Sequence, residues 1–169
     1  MYSAPFNMLL AALDPVAYAR KIGVQMHGEV TIYGSSYAMF SAEPYLVTLG
    51  DNVFISVGAK FLCHDGSTLP FRKDYPDLEL AGEINVGNNV FIGMGALILP
   101  NVTIGSSCIV GANAVVTRNV SAGSIVAGNP ARRISDTADF LERAKCRSLK
   151  IGHLTGAEKV AAYKRIFSK

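Results

Sequence analysis

The amino-acid sequence predicts an all-β solenoid, a parallel β-helix, and three observations carry that prediction. Val86, Ile92, Ile98, Ile104, Val110 and Val116 fall at every sixth position. Gly87, Gly93, Gly105 and Gly111 directly follow four of them. Val90, Ala96, Val102, Cys108 and Ala114, all small or medium apolar residues, stand four positions after the first five. A sixfold beat is neither the helical period of about 3.6 nor strand alternation. It is the period of a solenoid in which each hexad supplies one short flat strand and one tight corner. Three hexads, about 18 residues, close a coil, and coils stack by parallel pairing. The large aliphatic points to the axis and the smaller apolar residue packs beside it. Glycine follows the aliphatic because the corner needs a backbone conformation with little tolerance for Cβ. Asn88, Asn89, Asn101, Asn113 and Asn119 suit corners because Asn accepts turn and left-handed backbone.

The other elements follow in chain order. Residues 5 to 22 read as helical, with Phe6, Leu9, Leu10 and Leu13 on one face. Asp14-Pro15 reads as an N-cap followed by a proline at the first helical position. Residues 1–29 are expected to form a helical cap over the open end of the solenoid, which otherwise exposes a strand edge and an apolar cross-section. From Val24 to Tyr45 the beat is ragged, with a strand at Val30–Ile32. It then locks at Leu49, Ile55 and Phe61, with Val53 and Ala59 in the small positions. The solenoid domain is assigned to residues 30–134, interrupted by an excursion over residues 64–83. Two prolines, glycines and mixed charge mark that excursion as a loop ejected from a corner. A loop of this length inside a regular solenoid is a functional element, because the coils still stack beneath it. The beat resumes at Ile84 and is expected to end after Val116. Residues 135–169 read as C-terminal helices. Ser135 or Asp136 caps one helix running to about Arg147. Thr155 to Glu158 has the capping-box pattern for another running to about Phe167, with Val160, Tyr163 and Phe167 on one face. These helices are expected to cover the last coil or to pack on a neighbouring subunit.

Composition narrows the function. The 169 residues are half apolar and carry a net charge of +3, with no basic stripe of the kind that binds nucleic acid. No apolar run reaches the ~20 residues of a membrane span, and no secretory leader is evident, so neither a membrane nor a nucleic-acid partner is expected and the location expected is cytoplasmic. Cys63, Cys108 and Cys146 are scattered and odd in number, which fits a reducing compartment. Cys108 falls on an inward position. Cys63 adjoins His64, which raises a nucleophilic role for it.

Residues Leu46 to Ile134 resemble the hexapeptide-repeat acyltransferases. The N-terminal helices followed by AEPYLVTLGDNVFIS also resemble the polysaccharide-biosynthesis branch. HDGSTLPF, from His64 to Phe71, is similar to the catalytic loop of the xenobiotic acetyltransferase branch. VVTRNVSAGSIVAGNPARRI is similar to the closing segment of the galactoside and maltose O-acetyltransferase branch. The resemblance implies a left-handed β-helix, against the usual right-handed crossover rule. It implies acetyl-CoA as cosubstrate, a homotrimer with sites between subunits, and His64 as catalytic base. Imidazole titrates near physiological pH and suits removal of a proton from a hydroxyl as it attacks a thioester.

The resemblance places the cosubstrate on Met94, Ala112, Thr117, Arg118 and Arg132, with guanidinium groups on the phosphates. Met94 replaces a small polar residue of the family pattern. Ser135 stands where a second arginine is common, with Arg133 as a substitute. Asp65 orients His64 or contacts the acceptor, although Asp-Gly turn chemistry accounts for it equally. Arg72 meets an anionic acceptor such as a nucleotide sugar, or is a solvated loop charge.

The expected activity is acyl transfer, with acetyl the acyl group, to a saccharide hydroxyl without a metal. An amino sugar, acylated on nitrogen, is the alternative acceptor. Two other readings compete. A γ-class carbonic anhydrase uses the same solenoid but needs three zinc-binding histidines, and of His27, His64 and His153 only His64 lies in the regular part. A non-catalytic scaffold leaves His64 without a role. The serine acetyltransferase subgroup is disfavoured, because its large helical N-terminal domain is not seen in this sequence.

Overall fold

The computed structural model describes residues 4–168, which form two compact units divided between Thr137 and Ala138. The first begins with α1 (Ala4–Leu13) and α2 (Pro15–Lys21). Asp14 caps α2 by accepting from the Ala17 N–H at 2.9 Å, with Pro15 at the first helical position, as the sequence predicts. Ala19 of α2 is fully buried, and Val16 and Ile22 pack beside it against the core. The face of α1 that was read as apolar carries exposed Phe6, Leu9 and Leu13, while Ala11 is its buried residue.

The solenoid has three sides. On one, β1 (Gln25–Met26), β3 (Val47–Leu49), β6 (Ile84–Val86) and β9 (Thr103–Ile104) pair in parallel. On the second lie β2 (Val30–Ile32), β4 (Val53–Ile55), β7 (Val90–Ile92), β10 (Ile109–Val110) and β12 (Ser124–Ala127), again parallel. The third side is β5 (Lys60–Phe61), β8 (Leu97–Ile98) and β11 (Val115–Val116), with Phe40 bridging Phe61 in front of them. From β3 to β11 the chain visits the sides in rotation, so each strand finds its partner a full coil away. In the regular part that distance is 18 residues, as in Ile92↔Val110 and Ile98↔Val116. Across the excursion it is 37, as in Ile55↔Ile92 and Phe61↔Ile98. The 19 extra residues leave the stack without disturbing its register. Both apolar series are buried: Ile92, Ile98, Ile104 and Val110 along with Ala96, Val102 and Ala114 are fully enclosed. Each large aliphatic so buried contributes about 1.5–3 kcal/mol of transfer free energy.

The corner glycines have a different cause from the expected one. Gly87, Gly93, Gly105 and Gly111 do not have positive φ. They are needed because the next coil presses against them: a Cβ on Gly93 would lie 2.6 Å from the Ala112 nitrogen and 2.7 Å from the Val110 oxygen. Left-handed backbone falls later in the corner, at Asn52, Asn89, Asn101, Ser107 and Asn113. Asn88 and Asn119, also expected there, are instead hydrogen-bond acceptors. Along one edge the residue after each corner glycine accepts from the coil before it. Asp51 Oδ1 takes the Glu29 N–H, Asn88 Oδ1 the Asp51 N–H and Ser106 Oγ the Asn88 N–H, at 2.8, 2.8 and 3.0 Å. The Asn119 side chain accepts from the Thr103 N–H at 2.8 Å.

The coils also continue beyond Val116. The corner after it is short, so the next inward residue is Val120, bridged to Ile104, followed by Val126, aligned with Val110. A strict count of six misses both. The edge of the second side is then closed by β13 (Arg132–Asp136), which pairs antiparallel with β12. The second unit contains α3 (from Thr137, at the boundary, to Arg147) and α4 (Gly156–Ile166). Thr155 occupies the N-cap of α4 but its side chain makes no capping hydrogen bond.

Candidate active site

His64 stands where the chain leaves the stack. β5 ends at Phe61, and the Leu62 N–H still bonds the Ile98 oxygen at 2.9 Å. The excursion then rises from a pinched neck. The Asp65 N–H bonds the Leu80 oxygen and the Gly82 N–H the Cys63 oxygen, both at 2.8 Å, and His64 bridges Ala81 antiparallel. This neck fixes the backbone of His64 although a long loop hangs from it. The loop continues as a 3-10 turn from Gly66 to Phe71.

The coil before supplies the partner of His64. Glu43 Oε2 lies 2.6 Å from His64 Nδ1. Ser41 holds the two coils together here: its Oγ accepts from the Cys63 N–H at 3.1 Å and lies 3.4 Å from Glu43 Oε2. The imidazole pKa is raised above its ordinary value, first by the hydrogen bond to Glu43 and then by the Glu43 charge, with a small addition from Glu79; partial burial and the charge of Arg72 oppose it. With Nδ1 engaged by a carboxylate, the proton of the neutral ring sits on Nδ1 and Nε2 carries the free lone pair. Glu43, His64, Gly66, Leu69, Arg72 and Glu79 line a recess of about 380 Å³. Glu43 was not singled out from the sequence. It lies 21 residues from His64, and the only signal for it was a carboxylate about one coil upstream, in the ragged part of the beat.

The other residues singled out from the sequence sort as follows. Asp65 turns to the loop and accepts from the Ser67 N–H at 2.9 Å, and the hydrogen bonds from Ser67 lower its pKa. Arg72 lines the recess but is engaged within the loop, on the Leu78 oxygen at 3.0 Å and on the Glu79 carboxylate. Cys63 is fully buried and burial raises its thiol pKa, which makes it a poor nucleophile. Arg118 and Arg132 come together, with Arg133, in a second recess of about 220 Å³ at the last coil. Arg118 lies on the same solenoid edge as His64, two coils further on, about 10 Å along the axis at the usual strand spacing. Thr117 precedes it and is exposed. Met94 and Ala112 occupy a different edge. They stack one coil apart, the Asn113 N–H on the Met94 oxygen at 2.8 Å, and Met94 is exposed. One chain therefore does not gather all these residues into a single pocket. His27 and His153 are exposed and lie outside both recesses. Among the described residues, no group of three or more His, Cys, Asp or Glu could hold a metal ion, and no helix is long and apolar enough to cross a membrane.

Comparison with known proteins bears on this geometry. Residues 83–118 match the family model described as bacterial transferase hexapeptide (six repeats). Protein CapG of Staphylococcus aureus is 45% identical over 142 residues, covering 78% of this chain and 83% of that protein. Among solved structures, a maltose O-acetyltransferase from Clostridium difficile superimposes with a TM-score of 0.51 at 20% identity, covering 78% of this chain and 82% of the other. A serine acetyltransferase from Brucella abortus, in complex with coenzyme A, superimposes with a TM-score of 0.53 at 23% identity over 68% of this chain. The match spans only 40% of that enzyme's length.

Proposed function

Because the chain belongs to the hexapeptide-repeat transferase family, we propose that it is a coenzyme-A-dependent acyltransferase, with acetyl the group moved and a saccharide hydroxyl the acceptor. The observation that carries this reading is the Glu43–His64 pair on the wall of a recess at the mouth of the excursion. A neutral imidazole pinned through Nδ1 presents Nε2 as a base. The acceptor hydroxyl gives its proton to Nε2 as its oxygen bonds to the thioester carbonyl carbon. The C–S bond then breaks, and the imidazolium returns the proton to the departing thiolate sulfur. Glu43 stabilises the imidazolium while it exists, as the buried carboxylate of a catalytic triad does.

The cosubstrate is assigned to Arg118 and Arg132, whose guanidinium groups suit its phosphates, with Met94, Ala112 and Thr117 along its path. Since Met94 and Ala112 lie on another edge from His64, this assignment requires the edge of one solenoid to face that of a second copy. A left-handed homotrimer, as the family resemblance implies, meets that requirement. Among the described residues the chain's α-helices are confined to 4–21 and 137–166, narrower than the expected 1–29 and 135–169, because Gln25–Met26 pair within the solenoid and Ser135–Asp136 belong to β13. Three free cysteines fit a cytoplasmic setting. A second reading, N-acylation of an amino sugar, is favoured by the two carboxylates of Glu43 and Glu79 in the recess wall, which attract an ammonium group.

The test is thiol release from acetyl-CoA across a panel of sugars, nucleotide sugars and amino sugars. Release with a hydroxyl acceptor, lost in His64→Ala with the fold retained, supports the reading. Release with amino sugars alone favours the second. Absence of coenzyme A binding overturns both.

A further inference from the structure

We propose that the C-terminal unit is a docking element for an anionic membrane surface. Residues 138–169 hold eight lysines and arginines against three acids, whereas the other 137 residues hold eight against ten. The last fifth of the chain is therefore net positive and the rest net negative. At 100° per residue, Phe140, Ala144 and Leu141 share one arc of α3, with Arg143 and Arg147 along one margin and Lys145 along the other; Asp139 and Glu142 lie beyond, Glu142 paired with Lys145 at 2.7 Å. On α4, Val160, Tyr163, Ile166 and the C-capping Phe167 share an arc that also holds Lys159, with Lys164 along one margin, while Glu158 and Arg165 lie opposite.

These apolar side chains face solvent. Phe140 is 46% exposed, Leu141 52%, Val160 53% and Phe167 57%. The Tyr163 and Phe167 rings lie together, 6.3 Å apart, on that surface. An apolar arc flanked by long cationic side chains suits a boundary between hydrocarbon and negatively charged headgroups. The rings and aliphatics enter the acyl layer, while the lysine and arginine stems lie along it and carry their charges to the phosphates. A contact of this arc with the same arc of a second copy would bring its cations against each other. No span is required, and peripheral binding of this kind is weak and reversible.

The test is flotation of the full-length protein with vesicles of phosphatidylcholine alone and of phosphatidylcholine with phosphatidylglycerol. The expected result is binding to the anionic vesicles only, weakened by added salt as screening shortens. Lys159→Glu with Lys164→Glu weakens it by at least about fivefold per cation, and Phe140→Ser with Phe167→Ser abolishes it. Circular dichroism of each variant establishes that the helices remain. Absence of binding to anionic vesicles, or equal binding to both kinds, overturns the proposal. So does a fall in the solution mass of the protein in the Phe140→Ser, Phe167→Ser variant with vesicle binding unchanged, which assigns the face to a second copy of the chain.

Discussion

Glu43 lies one coil behind His64 on the same edge of the solenoid, its carboxylate oxygen 2.6 Å from His64 Nδ1. The two residues meet only because the first irregular coil stacks beneath the coil that carries β5. The contact links the architecture directly to the proposed chemistry.

The Glu43–His64 contact sets the pH dependence of the proposed activity. Glu43 raises the pKa of His64, so the base form emerges only above the ordinary value of about 6.5. The kcat/KM profile is expected to rise with pH through a midpoint above that value. In Glu43→Gln the midpoint moves down towards about 6.5. The plateau of that variant falls about ten- to a hundredfold, because the ring is less well held. A midpoint that stays in place would separate Glu43 from the base.

The same pair acts on stability, with a defined sign. The folded-state pKa of His64 is raised, so its contribution is fully present below about pH 6.5 and is lost as pH climbs through the raised value. The histidine side chain is 40% exposed, which limits the effect to about 1 kcal/mol or less. The melting temperatures of the wild type and Glu43→Gln are expected to differ more at pH 5 than at pH 9.

Arg118 and Arg132 are tested through the cosubstrate. If they hold its phosphates, Arg118→Ala and Arg132→Ala each raise the KM for acetyl-CoA about ten- to a hundredfold, the loss of a charge-assisted hydrogen bond, with little change in kcat. An acetyl-pantetheine donor, which lacks the nucleotide end, is then used equally well by wild type and variants. Equal loss with both donors would point to a structural role instead.

The corner glycines allow a purely conformational test. Gly93→Ala places a methyl against the backbone of the next coil and is expected to cost about 1–3 kcal/mol in denaturant unfolding. Asn113→Gly leaves a residue suited to the left-handed backbone found there. It is expected to cost less than Asn113→Ala, because the penalty at that corner falls on Cβ.

The sides of the solenoid were legible because an inward position repeats at a fixed interval, and the excursion was legible as the place where that interval fails. His64 could be singled out for the same reason. Glu43 could not, because the coil that carries it departs from the beat, so counting back from His64 does not land on it. The last coil was missed for a related reason: the corner after Val116 is two residues short, which puts Val120 and Val126 out of phase. The glycines were correctly located but given the wrong cause, since the sequence marks where Cβ is absent and not whether φ or a neighbouring coil demands it. The burial of Ala11, rather than of the larger residues of α1, depends on tertiary contacts that periodicity does not encode.

The reversed strand β13 has a consequence for how such a protein varies in length. A parallel stack is open-ended, since any coil offers its edge to another. Once Arg132–Asp136 runs back along β12, the donors and acceptors of that edge are occupied in the wrong polarity for a further rung. Head-to-tail growth into a fibre is blocked at this side, and a coil inserted upstream leaves the stop in place. The direction of one short strand thus closes one of the three sides of the repeat.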